Sequence, residues 1–271
     1  MPFLSRPDGV KLAWEERGEG TPVVLANQFF GVAETFAPLL DDLARDHRVI
    51  TYNLRGTGNS TREGPYEPEV DAADLEAVVE LAGEPAVVLA FADGCNRAVR
   101  VAAKRSQLVT AVVSPAGNPV GTAAVQGTDA LAASSSVLQA LVSMMSTAYR
   151  GALRTMFGSA NPDWDEESLK QRVARTVEIL PQEAALPRLQ AWIADDVIEE
   201  AQLVGARLWM LDDGSNAWFP IEVSRQARKI LPEANILEVE NGAISRPDIT
   251  AGVIRRLTAA AAVESRGGRA G

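Results

Sequence analysis

Short apolar runs alternate with segments of helical spacing along this chain, and that alternation constrains the fold more than any other feature. Pro22-Val23-Val24-Leu25-Ala26 and Ala86-Val87-Val88-Leu89-Ala90 carry no polar face at all, and Leu108-Val109-Thr110-Ala111-Val112-Val113 is nearly as apolar. A strand without a polar face must be covered on both sides, the condition of a parallel sheet between two helical layers. Arg48 to Tyr52 adds another strand. Val10-Lys11-Leu12-Ala13-Trp14-Glu15 alternates at period two, as a half-exposed strand does. Between these, residues 33–46 place Phe36, Leu39, Leu40 and Leu43 on one helical face. Residues 71–82 read as an acidic amphipathic helix, and a tight turn after Ala90 leads into a helix over 97–104.

Residues 119–200 break the alternation. They are Ala-rich, helical in spacing and free of buried strand runs, and they hold Met144, Met145, Tyr149, Met156, Phe157, Trp164 and Trp192. The alternation then resumes with a strand from Ala206 to Leu211, a helix over 220–230, a strand from Ala234 to Val239 and a helix over 247–262. The expected organisation is an α/β core of residues 1–118 and 201–262, a helical cap of residues 119–200 over one edge, and a disordered tail at 263–271.

Composition narrows the function. With 46 % hydrophobic and 23 % charged residues in 271, the chain has the makings of a large core. Its formal charge of −10 argues against a nucleic-acid partner, because phosphate binding is driven by clustered Lys and Arg. The lone Cys95 forms no internal disulfide, which points to a cytoplasmic setting, and the lone His47 excludes a multi-histidine metal site. No apolar run approaches the about 18 residues that span a bilayer, so no membrane partner is expected. Arg55-Gly56-Thr57-Gly58 lacks the lysine and the spacing of a Walker-type phosphate loop. The expectation is a cofactor-free protein, monomer or homodimer, acting on a small-molecule substrate.

Three stretches carry a resemblance. Pro22 to Gly31, with Asn27-Gln28-Phe29-Phe30-Gly31 at its end, lies where a known family has a strand ending in His-Gly. Asn53-Leu54-Arg55-Gly56-Thr57-Gly58-Asn59-Ser60 is similar to that family's Asp-x-Arg-Gly-x-Gly-x-Ser loop, in which Arg55 would be structural. Val88-Leu89-Ala90-Phe91-Ala92-Asp93-Gly94-Cys95 lies at its nucleophile elbow. On these residues the chain resembles the α/β-hydrolase fold superfamily over nearly its whole length. The resemblance implies a mostly parallel central sheet, helices on both faces and a helical cap insertion.

The elbow is a strained strand-to-helix turn that needs small residues two before and two after the nucleophile. Ala90 and Gly94 meet that demand around Ala92, whereas centring on Asp93 would put the bulky Phe91 in a tight position. The resemblance places the family's acid at Asn216, ahead of Pro220, and its histidine at Ala243, after Gly242. Ser, Asp and His have thus become Ala92, Asn216 and Ala243. His47, expected on the surface at the N-terminal end of its strand, is on the wrong side of the sheet to replace the base.

A pocket is nonetheless expected. The backbone N–H groups of Asp93 and Phe29 would form an oxyanion hole. Asp93 is the candidate catalytic residue, as a carboxylate under an apolar cap with a raised pKa or, alternatively, as a helix-terminal acid. Asn27, Gln28, Phe29, Ala92, Asn216, Trp218 and Ala243 are expected against the substrate. Asp212 and Asp213 end a strand on the same side, and Cys95 reads as core. Without nucleophile, base and orienting acid, ordinary acyl transfer has no chemical means. The expected function is a cofactor-independent, non-hydrolytic enzyme, a cyclase, lyase or isomerase acting on an apolar carbonyl-containing small molecule. Natural-product biosynthesis is where such repurposing of the superfamily occurs. A pseudoenzyme binding a ligand or protein partner, and a hydrolase using an unusual Asp-based route, are the alternatives.

Overall fold

The structure is a computed structural model and describes residues 1–28, 30, 36–120, 139–212, 221–240, 243 and 246–267. Eight strands form one sheet: β1 (Phe3–Ser5), β2 (Lys11–Arg17), β3 (Thr21–Ala26), β4 (His47–Tyr52), β5 (Ala86–Phe91), β6 (Val109–Ala116), β7 (Leu208–Asp212) and β8 (Asn235–Glu238). Their spatial order is β1-β2-β4-β3-β5-β6-β7-β8. β1 and β2 pair antiparallel, as do β2 and β4, and every pair from β4 through β3 to β8 is parallel. The fully apolar runs occupy the centre as expected. β1 was not legible as a strand, because three exposed or half-exposed residues carry no period.

Parity sorts the central side chains. Val24, Val88 and Val112 face α2 (Pro68–Glu80) and α3 (Gly94–Lys104), where Leu75, Val78, Ala98 and Val99 meet them. Val23, Leu25, Val87, Leu89 and Val113 face the other layer, α1 (Ala37–Leu43) and α10 (Pro247–Gly267), through Leu39, Leu40, Leu43 and Ile254. Each such side chain contributes about 1.5–3 kcal/mol on burial, so this two-sided core fixes the sheet.

The region expected as a cap is helical where it is described: residues 139–147 (α4), α5 (Tyr149–Ala160), α6 (Glu166–Ile179), α7 (Gln182–Ala194) and α8 (Ile198–Val204). Asp165 caps α6 by accepting the Ser168 N–H at 2.7 Å. The Tyr149 hydroxyl donates to the Leu180 carbonyl at 2.8 Å, tying α5 to the end of α6. After β7, α9 (Ile221–Ile230) leads to β8. α10 runs on to Gly267, past the expected start of a disordered tail at 263, because Ala259 to Ala262 are strong helix formers.

Candidate active site

β5 ends in the centre of the sheet and turns straight into α3. Ala92 makes that turn at φ +47°, the only non-glycine residue among those described with a left-handed backbone. An alanine there costs about 1–2 kcal/mol. Its N–H donates to the Ala116 carbonyl of β6, and its own carbonyl accepts the Cys95 N–H at 2.9 Å. A Cβ on Gly94 would overlap the carbonyl oxygen of Ala26, so α3 abuts the end of β3 with no room for a side chain. Gly117 is required in the same way: a Cβ there would lie 2.8 Å from the Ala92 carbonyl oxygen, and its φ is +155°. The strain and the close packing both centre on Ala92, the register expected from Ala90 and Gly94.

Asp93 is buried, 5 % exposed, at the N-terminus of α3. Its surroundings correct the expectation of a carboxylate beneath an apolar cap. Arg97, four residues on and equally buried, donates through Nη1 to Asp93 Oδ2 and through Nη2 to the Asn27 carbonyl. Asp93 is therefore the counter-ion of a buried guanidinium. Burial disfavours the charged form of Arg97, but the carboxylates of Asp93, first, and Asp71 more than offset this and raise its pKa.

Further ion pairs surround this one. Arg188 of α7 donates to Asp71 of α2 at 2.8 and 2.9 Å and to the Arg55 carbonyl at 2.7 Å. Arg55 grips Asp74 of α2 through two nitrogens at 2.7 and 2.8 Å and reaches Asp8 at 2.7 Å, the structural role its loop implied. Arg100 and Asn96 of α3 hold Asp195 beyond α7. The crevice among Asp71, Asp93, Arg97, Arg188, Trp192 and Asp195 has a volume of about 20 Å³, room for a single water.

The larger cavity, about 380 Å³, opens toward the β2–β4 side. Trp14, Asn27, Gln28, Tyr52, Asn53 and Ile179 line it, along with the exposed Arg62, Arg175 and Glu178. Its size falls in the range of small-molecule sites. Tyr52 is 5 % exposed, and its hydroxyl has no hydrogen-bond partner among the described residues. Burial pushes its pKa well above the usual phenol value, so it stays protonated.

The expected site residues thus separate. Asn27 and Gln28 do line the cavity. Ala92 and Asp93 form the elbow and do not line it; Asp93 borders the small crevice instead. Ala243 is 2 % exposed and packs with Phe91, Leu211 and Val239 on the α1–α10 side, facing neither described cavity. Phe29, Asp213, Asn216 and Trp218 lie outside the described residues, as does the side chain of Asp212. Cys95 is fully buried, as expected, and desolvation pushes its thiol up to about 12. His47 corrects its surface assignment. It is 4 % exposed, with Nδ1 2.9 Å from Asp46 Oδ1 and Nε2 3.0 Å from the Thr258 hydroxyl, at the end of β4 remote from the elbow. Among the described residues no group of His, Cys, Asp and Glu is placed to hold a metal ion, and no helix is long and apolar enough to cross a membrane.

Arg97, Arg188 and Tyr52 were missed as site residues. For Arg97 a signal existed: Asp93 and Arg97 stand at the i, i+4 spacing of a helical ion pair. The partners of Arg188 are 117 and 133 positions away, beyond any local pattern.

Comparison with known proteins agrees with this architecture. Residues 21–176 match the model of the family described as "alpha/beta hydrolase fold". A protein of Azorhizobium caulinodans named "Putative carbamate hydrolase RutD" is 37 % identical over 84 residues, and the match spans only 31 % of either chain. Among solved structures, an esterase from Exiguobacterium antarcticum superposes with a TM-score of 0.80 at 15 % identity, covering 94 % of this chain and 98 % of the other. The enol-lactonase from Burkholderia xenovorans LB400 gives 0.73 at 19 % identity, covering 94 % and 99 %. At such identities the structures speak for the fold alone. The family match covers more than half of the chain, which belongs to the α/β-hydrolase fold family.

Proposed function

We propose that this chain uses the hydrolase scaffold without an acyl-enzyme, as a cofactor-free, non-hydrolytic enzyme of the cyclase, lyase or isomerase kind. Its substrate is a small carbonyl-containing molecule held in the cavity beside Asn27 and Gln28. The observation that carries this reading is Ala92 at φ +47°. In the family that strain presents a nucleophile. Here it presents a methyl group, and what it still fixes is the direction of the Asp93 backbone N–H at the start of α3. A donor held there polarises a carbonyl and steadies an enolate or oxyanion as charge develops. With no attacking side chain at the corner, the carbonyl carbon keeps its substituents, and the chemistry is rearrangement or elimination. Asp93 serves as the counter-ion of Arg97, and Tyr52, kept protonated by burial, presents a neutral hydroxyl that can donate a hydrogen bond in the cavity.

The name of the Azorhizobium caulinodans relative, a putative carbamate hydrolase matched over 31 % of either chain, favours a second reading: hydrolysis by a route that does not use the elbow side chain. One experiment separates the two. Substituted nitrophenols and p-nitrophenyl acetate are each mixed with the pure protein. An oxyanion site binds the phenols in their ionised form, seen as a rise in phenolate absorbance at fixed pH. The ester releases 4-nitrophenolate no faster than in buffer, and the intact protein mass is unchanged. An acylated protein, or ester turnover that heat unfolding abolishes, would overturn the non-hydrolytic reading.

A further inference from the structure

We infer that Arg97 is a positioning residue, a clamp that sets the spacing between the two backbone segments of the carbonyl-binding corner. This rests on the function proposed above. The parallel ladder between β3 and β5 ends at the pair Ala26 and Ala90. Asn27, Gln28, Ala92 and Asp93 all lie past that last pair, so the sheet does not fix their separation. Arg97 bridges the gap, with one nitrogen on the Asp93 carboxylate and another on the Asn27 carbonyl. The fork of a guanidinium is planar and rigid, so it holds both partners at one spacing, which a lysine's single ammonium cannot do. The seam is already close-packed at Gly94, against the carbonyl of Ala26.

The burial of the clamp strengthens the inference. Arg97 is 4 % exposed and Asp93 5 %, with Tyr52 and Asp71 near enough to influence the guanidinium. A buried ion pair is a poor source of stability, since well-packed apolar side chains of similar size often serve as well. Its directional bonds at this junction are what an apolar pair would not supply. A carboxylate at position 93 then follows as the clamp's anchor.

The test compares Arg97→Lys and the double variant Asp93→Asn/Arg97→Met with the parent. It uses thermal unfolding, 4-nitrophenolate binding and amide hydrogen exchange. The double variant removes both charges together and is expected to unfold within a few degrees of the parent. Its affinity for 4-nitrophenolate falls about tenfold or more, the scale of a misplaced donor. Exchange quickens at residues 27–28 and 92–95 but not in β7, β8 or α10. Arg97→Lys keeps the charge and the fold and loses affinity in the same direction. If the double variant does not fold, Arg97→Lys carries the same two readouts alone. Parent-like phenolate affinity together with parent-like exchange at 27–28 and 92–95 would overturn the clamp. A parent that binds no phenolate would instead sink the carbonyl-binding reading, and the exchange pattern would still decide whether Arg97 holds the corner.

Discussion

The centre of the sheet and the seam between α2, α3 and α7 are equally buried and are held by different means. In β5, and in β3 after Thr21, every side chain is apolar, and parity decides which layer it meets. The seam carries buried ion pairs besides its apolar contacts: Arg55 with Asp74 at 2.7 Å, Arg188 with Asp71 at 2.8 Å, Arg100 with Asp195 at 2.6 Å, and Arg97 with Asp93. Apolar burial is non-directional, and it tolerates a changed side chain if volume is kept. A buried ion pair is directional, and removing half of it strands a charge. The sheet therefore supplies stability, and the seam supplies the position of the expected cap and the elbow relative to one another.

The sharpest way to break this comparison is where the two regions touch. Gly94→Ala would drive a Cβ into the Ala26 carbonyl, a backbone atom that cannot step aside. The expected loss is about 5 kcal/mol, at the extreme of single substitutions, read from the midpoint of urea unfolding. Arg55→Met comes next. It leaves Asp74, whose side chain is 1 % exposed, with only Arg6 as a cationic partner among the described residues, and should cost about 4 kcal/mol. The matching change in the sheet, Ile50→Val at a fully buried position, should cost only about 1 kcal/mol. Adding Asp74→Leu to Arg55→Met should recover most of the loss. Failure to recover it would mean that the seam is held by packing rather than by charge.

What could be read from the sequence follows the same division. The strands read from Pro22 to Ala26 and from Ala86 to Ala90 announce themselves, because a short run with no polar face fits a strand covered on both sides. The elbow register at Ala92 was legible because Ala90 and Gly94 record a steric demand in local spacing. The seam was not legible. Arg55 and Asp74 stand 19 positions apart, and Arg188 and Asp71 stand 117 apart, so each reads as an ordinary polar residue of an amphipathic helix or loop. His47 reads as a surface residue because it stands between a helix and the N-terminal end of its strand. The Thr258 hydroxyl that meets it is 211 positions away. The apolar pattern is written locally, whereas pairing between distant charges is a property of the fold.

A smaller effect isolates the strain at the elbow. Ala92→Gly removes the cost of a Cβ at φ +47° and should stabilise the protein by about 1 kcal/mol, seen as a raised urea midpoint at unchanged slope. If the corner's strain orients the Asp93 N–H, the same variant should bind 4-nitrophenolate more weakly while being more stable. A variant that gains both stability and affinity would separate the strain from the site.

The smallest expected effect lies at the opposite end of the sheet and sets the scale for the seam. Arg255 of α10 holds Asp46, just before β4, at 2.7 Å, and this pairing, aided by His47, lowers the Asp46 carboxyl from 3.8 to about 2. A depressed carboxylate contributes stability that is fully present above its unfolded value and is lost as pH falls through the folded one. The contribution should therefore be constant above about pH 5 and fade between pH 4 and 2. Unlike the seam pairs, this one is wet: the Asp46 side chain is 47 % exposed and that of Arg255 35 %. Solvent screening should hold its worth to about 0.5 kcal/mol. Asp46→Asn should accordingly lower stability by that much at pH 6, by only a small fraction of it at pH 2, and by less in 1 M salt than in dilute buffer. A loss at pH 6 as large as that from Arg55→Met would mean that exposure does not separate strong pairs from weak ones in this molecule, and the contrast between seam and surface would fail.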